Sequence, residues 1–76
     1  MERIYPEAIE IEKKLLSAMM LKEGKVISTV AAMLNAEDFY REEHKLIYKA
    51  LLRVFNRGTP PDVLLIEEEL RRTNDL

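Results

Sequence analysis

The sequence predicts an all-α fold, a compact bundle of about five short helices, and three observations predict it. Apolar residues recur at three- and four-residue steps along the chain and nowhere alternate as they do in a strand. Aliphatic residues are plentiful, and hydrophobic residues make up 47% of the chain, a helix-leaning globular composition rather than a disordered one. The two glycines and three prolines fall at the ends of the periodic segments rather than inside them. No internal repeat or low-complexity segment is present.

The first helix is expected over about Pro6 to Leu21. Proline suits a first turn, and Glu7, Glu10 and Glu12 complement the positive end of the helix dipole. Ala8, Ile11, Leu15, Leu16, Ala18 and Met19 share one arc, and Gly24 is a plausible stop. A shorter second helix uses Val26, Ile27, Val30, Ala31 and Leu34. Asn35 then caps a short turn through Asp38, a capping-box pattern with a shorter acid, anchored by Phe39 and Tyr40. The longest helix starts near Arg41 and ends at Gly58. Thr59-Pro60-Pro61-Asp62 offers a threonine cap, a proline at the first helical position and an acid at the third. A last helix through Arg72 would bury Val63, Ile66 and Leu70.

With 76 residues the chain holds one small domain. Its formal net charge of −2 marks neither a strongly basic nucleic-acid binder nor an acidic tail. Cysteine is absent, which removes disulfides, zinc–thiolate sites and thiol nucleophiles. The apolar runs are short of a membrane span, and the opening MERIYPEAIEIEKK is polar and acidic, so a soluble cytoplasmic domain is expected. The two glycines stand 34 positions apart, which excludes a glycine-rich phosphate loop. A metal site would need carboxylates around the single histidine, His44, and helix spacing does not cluster them there. A triad drawing on Ser17 or Ser28 has nothing to orient it. No catalytic, cofactor-binding or metal-ligating residue is assigned.

Two polar features remain. His44 falls on the same helical face as Ile47, Tyr48, Leu51 and Phe55, and Glu12 falls inside the apolar arc of the first helix, between Met19 and Leu16. Burying either alone is costly, whereas burying them against each other satisfies both. A Glu12–His44 hydrogen bond across the core is one reading; separate bonds to backbone or water at the core's edge are the other. Either role is structural. The second feature is a basic ladder, Arg41, Lys45, Lys49, Arg53 and Arg57, drifting about 40° per step around the side opposite the apolar face. A solvated outer face, with Glu37 pairing Arg41, is the plain reading; a surface for an acidic partner or a phosphate backbone is the functional one.

Several of these residues stand in a recognisable series. Pro6-Glu7-Ala8-Ile9-Glu10-Ile11-Glu12-Lys13 precedes Leu15 and Leu16; Glu37-Asp38-Phe39-Tyr40 is followed by His44, Ile47-Tyr48 and Ala50; Gly58, the prolines and Asp62 lead to Glu67-Glu68-Glu69-Leu70. In order and spacing this resembles the N-terminal domain of the bacterial replicative DNA helicase, DnaB, along nearly the whole chain. Ile11 and Lys13 depart from the usual Ala and Gln, Ser17 from a small glycine, and Ala36 from a proline. Leu65 stands where a threonine commonly begins a capping box with Glu68.

The resemblance implies that residues 1–76 are a collar domain incomplete at its C-terminal end, without the family's closing helix and helical hairpin. It implies no cofactor in this fragment, ATP and magnesium belonging to the ATPase of the parent enzyme. The implied partners are other helicase subunits and the helicase-binding domain of primase, with DNA held mainly by other parts of the parent. Glu10, pointing away from the apolar arc, and Leu46, an apolar residue among the basic ladder with no expected core role, are the candidate partner contacts. A free-standing helical adaptor, or a weak DNA-binding module using the basic face, is the alternative.

Overall fold

The computed structural model describes residues 6–21 and 25–75. Helix α1 spans Pro6–Leu21, α2 Lys25–Met33, a single 3-10 turn Ala36–Asp38, α3 Glu42–Asn56 and α4 Val63–Arg72. The fold is all-α, with four α-helices and the 3-10 turn among the described residues. The proposed stop at Gly24 lies outside them.

Helix α3 is the hub, packing against α1, α2, α4 and the 3-10 turn. Leu16 and Met19 of α1, Ile27 and Val30 of α2, Phe39 just past the 3-10 turn, Tyr48, Leu51 and Val54 of α3, and Ile66 and Leu70 of α4 close one core. Phe39 and Tyr48 stack with ring centroids 4.9 Å apart. The Tyr48 hydroxyl, buried with its ring, donates to the Leu34 carbonyl at 2.8 Å, satisfying an orphan acceptor just past the end of α2. Burial, with the Asp38 charge nearby, pushes its pKa above the ordinary tyrosine value and keeps it neutral.

The ends of the elements follow local chemistry. The Asn35 N–H donates to the Asp38 carboxylate at 2.8 Å, which ties off the 3-10 turn. Gly58, just past α3, holds φ at +86°, a conformation that costs glycine little and other residues more. Helix α4 begins later than expected. Its cap is Asp62, whose carboxylate accepts from the Leu65 N–H at 2.9 Å, and Thr59 plays no part. The second proline is the reason: Pro61 disfavours helical backbone at Pro60, so the helix cannot start at that residue. Asp62 is the next side chain able to cap.

The delayed start corrects Val63, which opens α4 and is 68% exposed instead of buried. Ile11 is 64% exposed rather than inside. The buried face of α1 centres on Glu12 and Met19, which leaves Ile11 about 100° from its middle. Ala31 is likewise exposed. Tyr40 is 52% exposed while Phe39 is buried. Phe39 has extended backbone, in which successive side chains point opposite ways, so only one of the two anchors the turn. Leu46 is partly buried against the core, contrary to its expected freedom. A helix packed on several sides needs a wider apolar arc, and Leu46 continues the line of Ala50 and Val54.

Leu51→Ala and Phe39→Ala should each cost about 2–5 kcal/mol of unfolding free energy through the cavities they leave, whereas Ile11→Ala should change it by less than about 0.5 kcal/mol. Denaturant unfolding of the three variants measures this; equal effects at Ile11 and Leu51 would refute the assigned face of α1.

Candidate functional site

Two residues set apart from the apolar core, His44 on α3 and Glu69 on α4, are the buried residues of polar or acidic type among the described residues, beside the Tyr48 hydroxyl already placed.

Helix α3 begins without a cap of its own. Its N-cap residue is Arg41, whose side chain carries no acceptor and makes no capping bond. The acceptor comes instead from α1. The Glu12 carboxylate accepts from the Tyr40 N–H through Oε2 and, at a longer 3.5 Å, from the Arg41 N–H through Oε1. Its Oε1 also lies 2.6 Å from His44 Nδ1, one turn into the helix. A carboxylate here satisfies orphan donors and sits at the positive end of the α3 dipole. His44 is 6% exposed, so its ring enters the core with its Nδ1 partnered. Burial pushes the Glu12 pKa up, but the hydrogen bonds from His44, Tyr40 and Arg41 outweigh it and hold the carboxyl below its ordinary value.

The second cluster joins α3 to α4. Glu69 is 3% exposed. Its Oε2 accepts from Arg53 Nε at 2.6 Å and Arg72 Nη2 at 2.7 Å, and its Oε1 from Arg57 Nη2 at 2.6 Å. Hydrogen bonds from Arg72, Arg53 and Arg57 drive its pKa down to about 2 against a smaller opposing effect of burial. The sequence reading treated Glu69 as part of an acidic run. Around the axis of α4 it lies between Leu65 and Ile66, on the edge of the buried side toward Leu65.

This cluster corrects the basic ladder, which is not one solvated face. Arg53 and Arg57 are drawn onto Glu69, because the drift along α3 carries the ladder's end toward α4. Lys45 pairs with Glu37 at 3.4 Å, and Arg41 pairs with Glu43 at 2.9 Å rather than with Glu37. Lys49 is exposed and has no ion pair among the described residues. Glu10 is exposed and, among the described residues, pairs with Lys13 alone, at 3.2 Å. Ser28 is exposed on α2. Ser17 lines an open cavity together with His44, but no hydrogen bond joins the two. Among the described residues no three His, Asp or Glu side chains gather as metal ligands, and no helix is long and apolar enough to cross a membrane.

Fold and clusters together define a small helical module whose helices are tied by charged side chains set into its core. Residues 4–76 match the family model for the DnaB-like helicase N-terminal domain, and the chain belongs to that family. It is 38% identical over 74 residues to the replicative DNA helicase DnaB of Rhodothermus marinus, covering 97% of this chain and 8% of that protein. Identity to the DnaB of Geobacillus stearothermophilus is 39%, covering 99% and 16%. Identity to the replicative DNA helicase DnaC of Bacillus subtilis is 34%, covering 96% and 16%. The chain thus spans between 8% and 16% of the length of these relatives. No solved structure matches it.

A double-mutant cycle on Glu12→Gln and His44→Gln should give a coupling of about 0.5–3 kcal/mol; additive effects would show that the contact contributes nothing to folding. Glu12 and Glu69 both titrate lower in the folded chain than unfolded, so their contribution is complete above the unfolded pKa and disappears as pH falls through the folded one. For Glu69 that window runs from 4.5 down to about 2. Acid unfolding followed by circular dichroism should therefore lose part of its steepness across this window in Glu69→Gln, and an unchanged acid limb would contradict the assignment.

Proposed function

We propose that this domain serves as the non-catalytic N-terminal collar domain of a hexameric replicative DNA helicase, contributing to ring assembly and primase docking in bacterial DNA replication. The observation that carries this reading is the family match over residues 4–76, nearly the whole chain. On this reading ATP and magnesium act in other parts of the parent enzyme, DNA is engaged mainly there, and the assembly works in the cytoplasm. The surface offered to primase includes Glu10, exposed on α1 and paired with Lys13. Leu46 is a poorer contact than the sequence suggested, because its side chain is partly committed to the core. The DNA-binding alternative has less support, since Arg41, Lys45, Arg53 and Arg57 are all engaged by carboxylates of the same chain.

Titration calorimetry with the helicase-binding domain of primase should show weak binding, with a Kd of about 1 μM or more, because one copy lacks the avidity of a ring. Glu10→Lys should weaken it several-fold while leaving the melting temperature nearly unchanged, since an exposed ion pair contributes little. Absence of binding at saturating concentrations would remove primase docking from the reading. Measurable ATP turnover by the purified chain would remove its non-catalytic character.

A further inference from the structure

The Glu12–His44 bond decides which nitrogen of the imidazole is left over. The Glu12 carboxylate already accepts the Tyr40 and Arg41 N–H groups, and as an acceptor only it takes a hydrogen from His44 Nδ1 as well. In the neutral ring Nε2 then carries a lone pair and no hydrogen. His44 is 6% exposed, yet Nε2 has no hydrogen-bond partner among the described residues. The sealed, unpartnered side-chain nitrogen there is Arg53 Nη2, so Nε2 still reaches open space. His44 lines an open cavity of about 300 Å³ between α1 and α3, and that cavity is the space it reaches. A buried polar atom without a partner is costly, and a hydrogen-bond donor in the cavity would relieve it.

From this geometry we propose that the cavity is a receptor for the phenol of a tyrosine side chain on a protein partner. The phenol O–H donates to Nε2, and the ring packs on Leu16, Met20 and Ile47, the apolar walls, with the Met20 sulfur suited to an aromatic face. Lys13 and Ser17, both exposed on α1, line the same cavity and offer donors to the phenol oxygen. Lys13 meets Glu10 through one of its three ammonium donors, and among the described residues no carboxylate lines the cavity. A phenol oxygen both donates and accepts, which this set of groups requires. An indole N–H only donates, and a carboxylate or phosphate would set its oxygens against the Nε2 lone pair. A second cavity of about 190 Å³ adjoins the first, sharing Met20 and Ile47 and adding Val63, Ile66 and Leu70. A polypeptide carrying the tyrosine therefore finds apolar ground beside the ring, which a free phenol would leave uncovered. His44 supplies the acceptor through the fold, while Lys13 and Ser17 decide what sits before it. The proposal does not depend on primase being the partner.

The test titrates the whole 76-residue chain, labelled with nitrogen-15, with N-acetyltyrosinamide at mildly alkaline pH, using N-acetylphenylalaninamide as the comparison. In the free chain His44 Nε2 should resonate as a nitrogen without hydrogen. The tyrosine probe should give saturable shifts at Nε2 and bind at least about threefold more tightly than the phenylalanine probe, the value of one hydrogen bond. Because His44 also holds Glu12, a variant that spares that bond completes the test. Ser17→Leu fills the cavity from an exposed position and should abolish the shifts at Nε2 while leaving the melting temperature nearly unchanged. The proposal is overturned if Nε2 carries the hydrogen in the free chain, if the shifts do not saturate, if the phenylalanine probe binds as tightly, or if Ser17→Leu binds as before.

Discussion

One carboxylate sets the geometry on which the rest of the domain depends. Glu12 reaches from α1 to the start of α3 and meets the Tyr40 N–H, the Arg41 N–H and His44 Nδ1 at once. Helix α3 cannot cap itself, because Arg41 holds the cap position with a side chain that only donates. The acceptor that is present comes from another element, and its bonds tie the start of α3 to α1. Once that start is fixed, Tyr48 lies one turn beyond His44, stacks on Phe39 and donates to Leu34. In this way a cap supplied by α1 to α3 leads to a cap supplied by α3 to α2. Nonspecific apolar packing would allow the helices to slide or rotate at small cost; these directional bonds do not.

Glu69 does for α4 what Glu12 does for α1, with a different balance. Glu12 is satisfied by backbone donors and one imidazole, and it sits at a helix N-terminus where the dipole favours its charge. Glu69 has no such help and is satisfied only by cations, which fits its pKa falling to about 2. Arginines with exposed faces can supply those bonds while keeping their own hydration, so only the carboxylate bears most of the desolvation. A hydrophobic replacement at position 69 of similar volume would spare that cost but leave three guanidiniums crowded without a counter-charge.

The sequence was legible wherever one helix face decided the outcome. The bounds of α1, the α2 stripe apart from Ala31, the Asn35–Asp38 turn and the facing of Glu12 and His44 all follow from pitch and capping chemistry. What escaped depended on relations between elements. Leu46 is drawn inward because α3 is surrounded, which its own periodicity cannot tell. Ile11 is left outside because the buried arc of α1 is centred by its contact with α3. Val63 and the Asp62 cap were misplaced because the constraint of one proline on the next was not applied. Glu69 was missed for a different reason: it lies between Leu65 and Ile66 around α4, outside the expected arc of Val63, Ile66 and Leu70, and Leu65 was not expected to pack inward.

The placement of these residues bears on what family membership conveys. Two of the three segments that carry the resemblance, around Glu12 and from Asp38 through Tyr48, come together at the junction of α1, α3 and the 3-10 turn. Glu12, Phe39, His44 and Tyr48 face one another there instead of facing solvent. Such residues specify how the helices assemble, and a chain that retains them retains the fold whatever it binds. Partner choice has to be written on the exposed residues between them, where Glu10, Lys49, Arg57 and Arg72 stand. A change of partner could therefore proceed by substitution on that outer layer without disturbing the cap that Glu12 provides, which separates the part of the sequence that makes this a member of its family from the part that would decide what it docks.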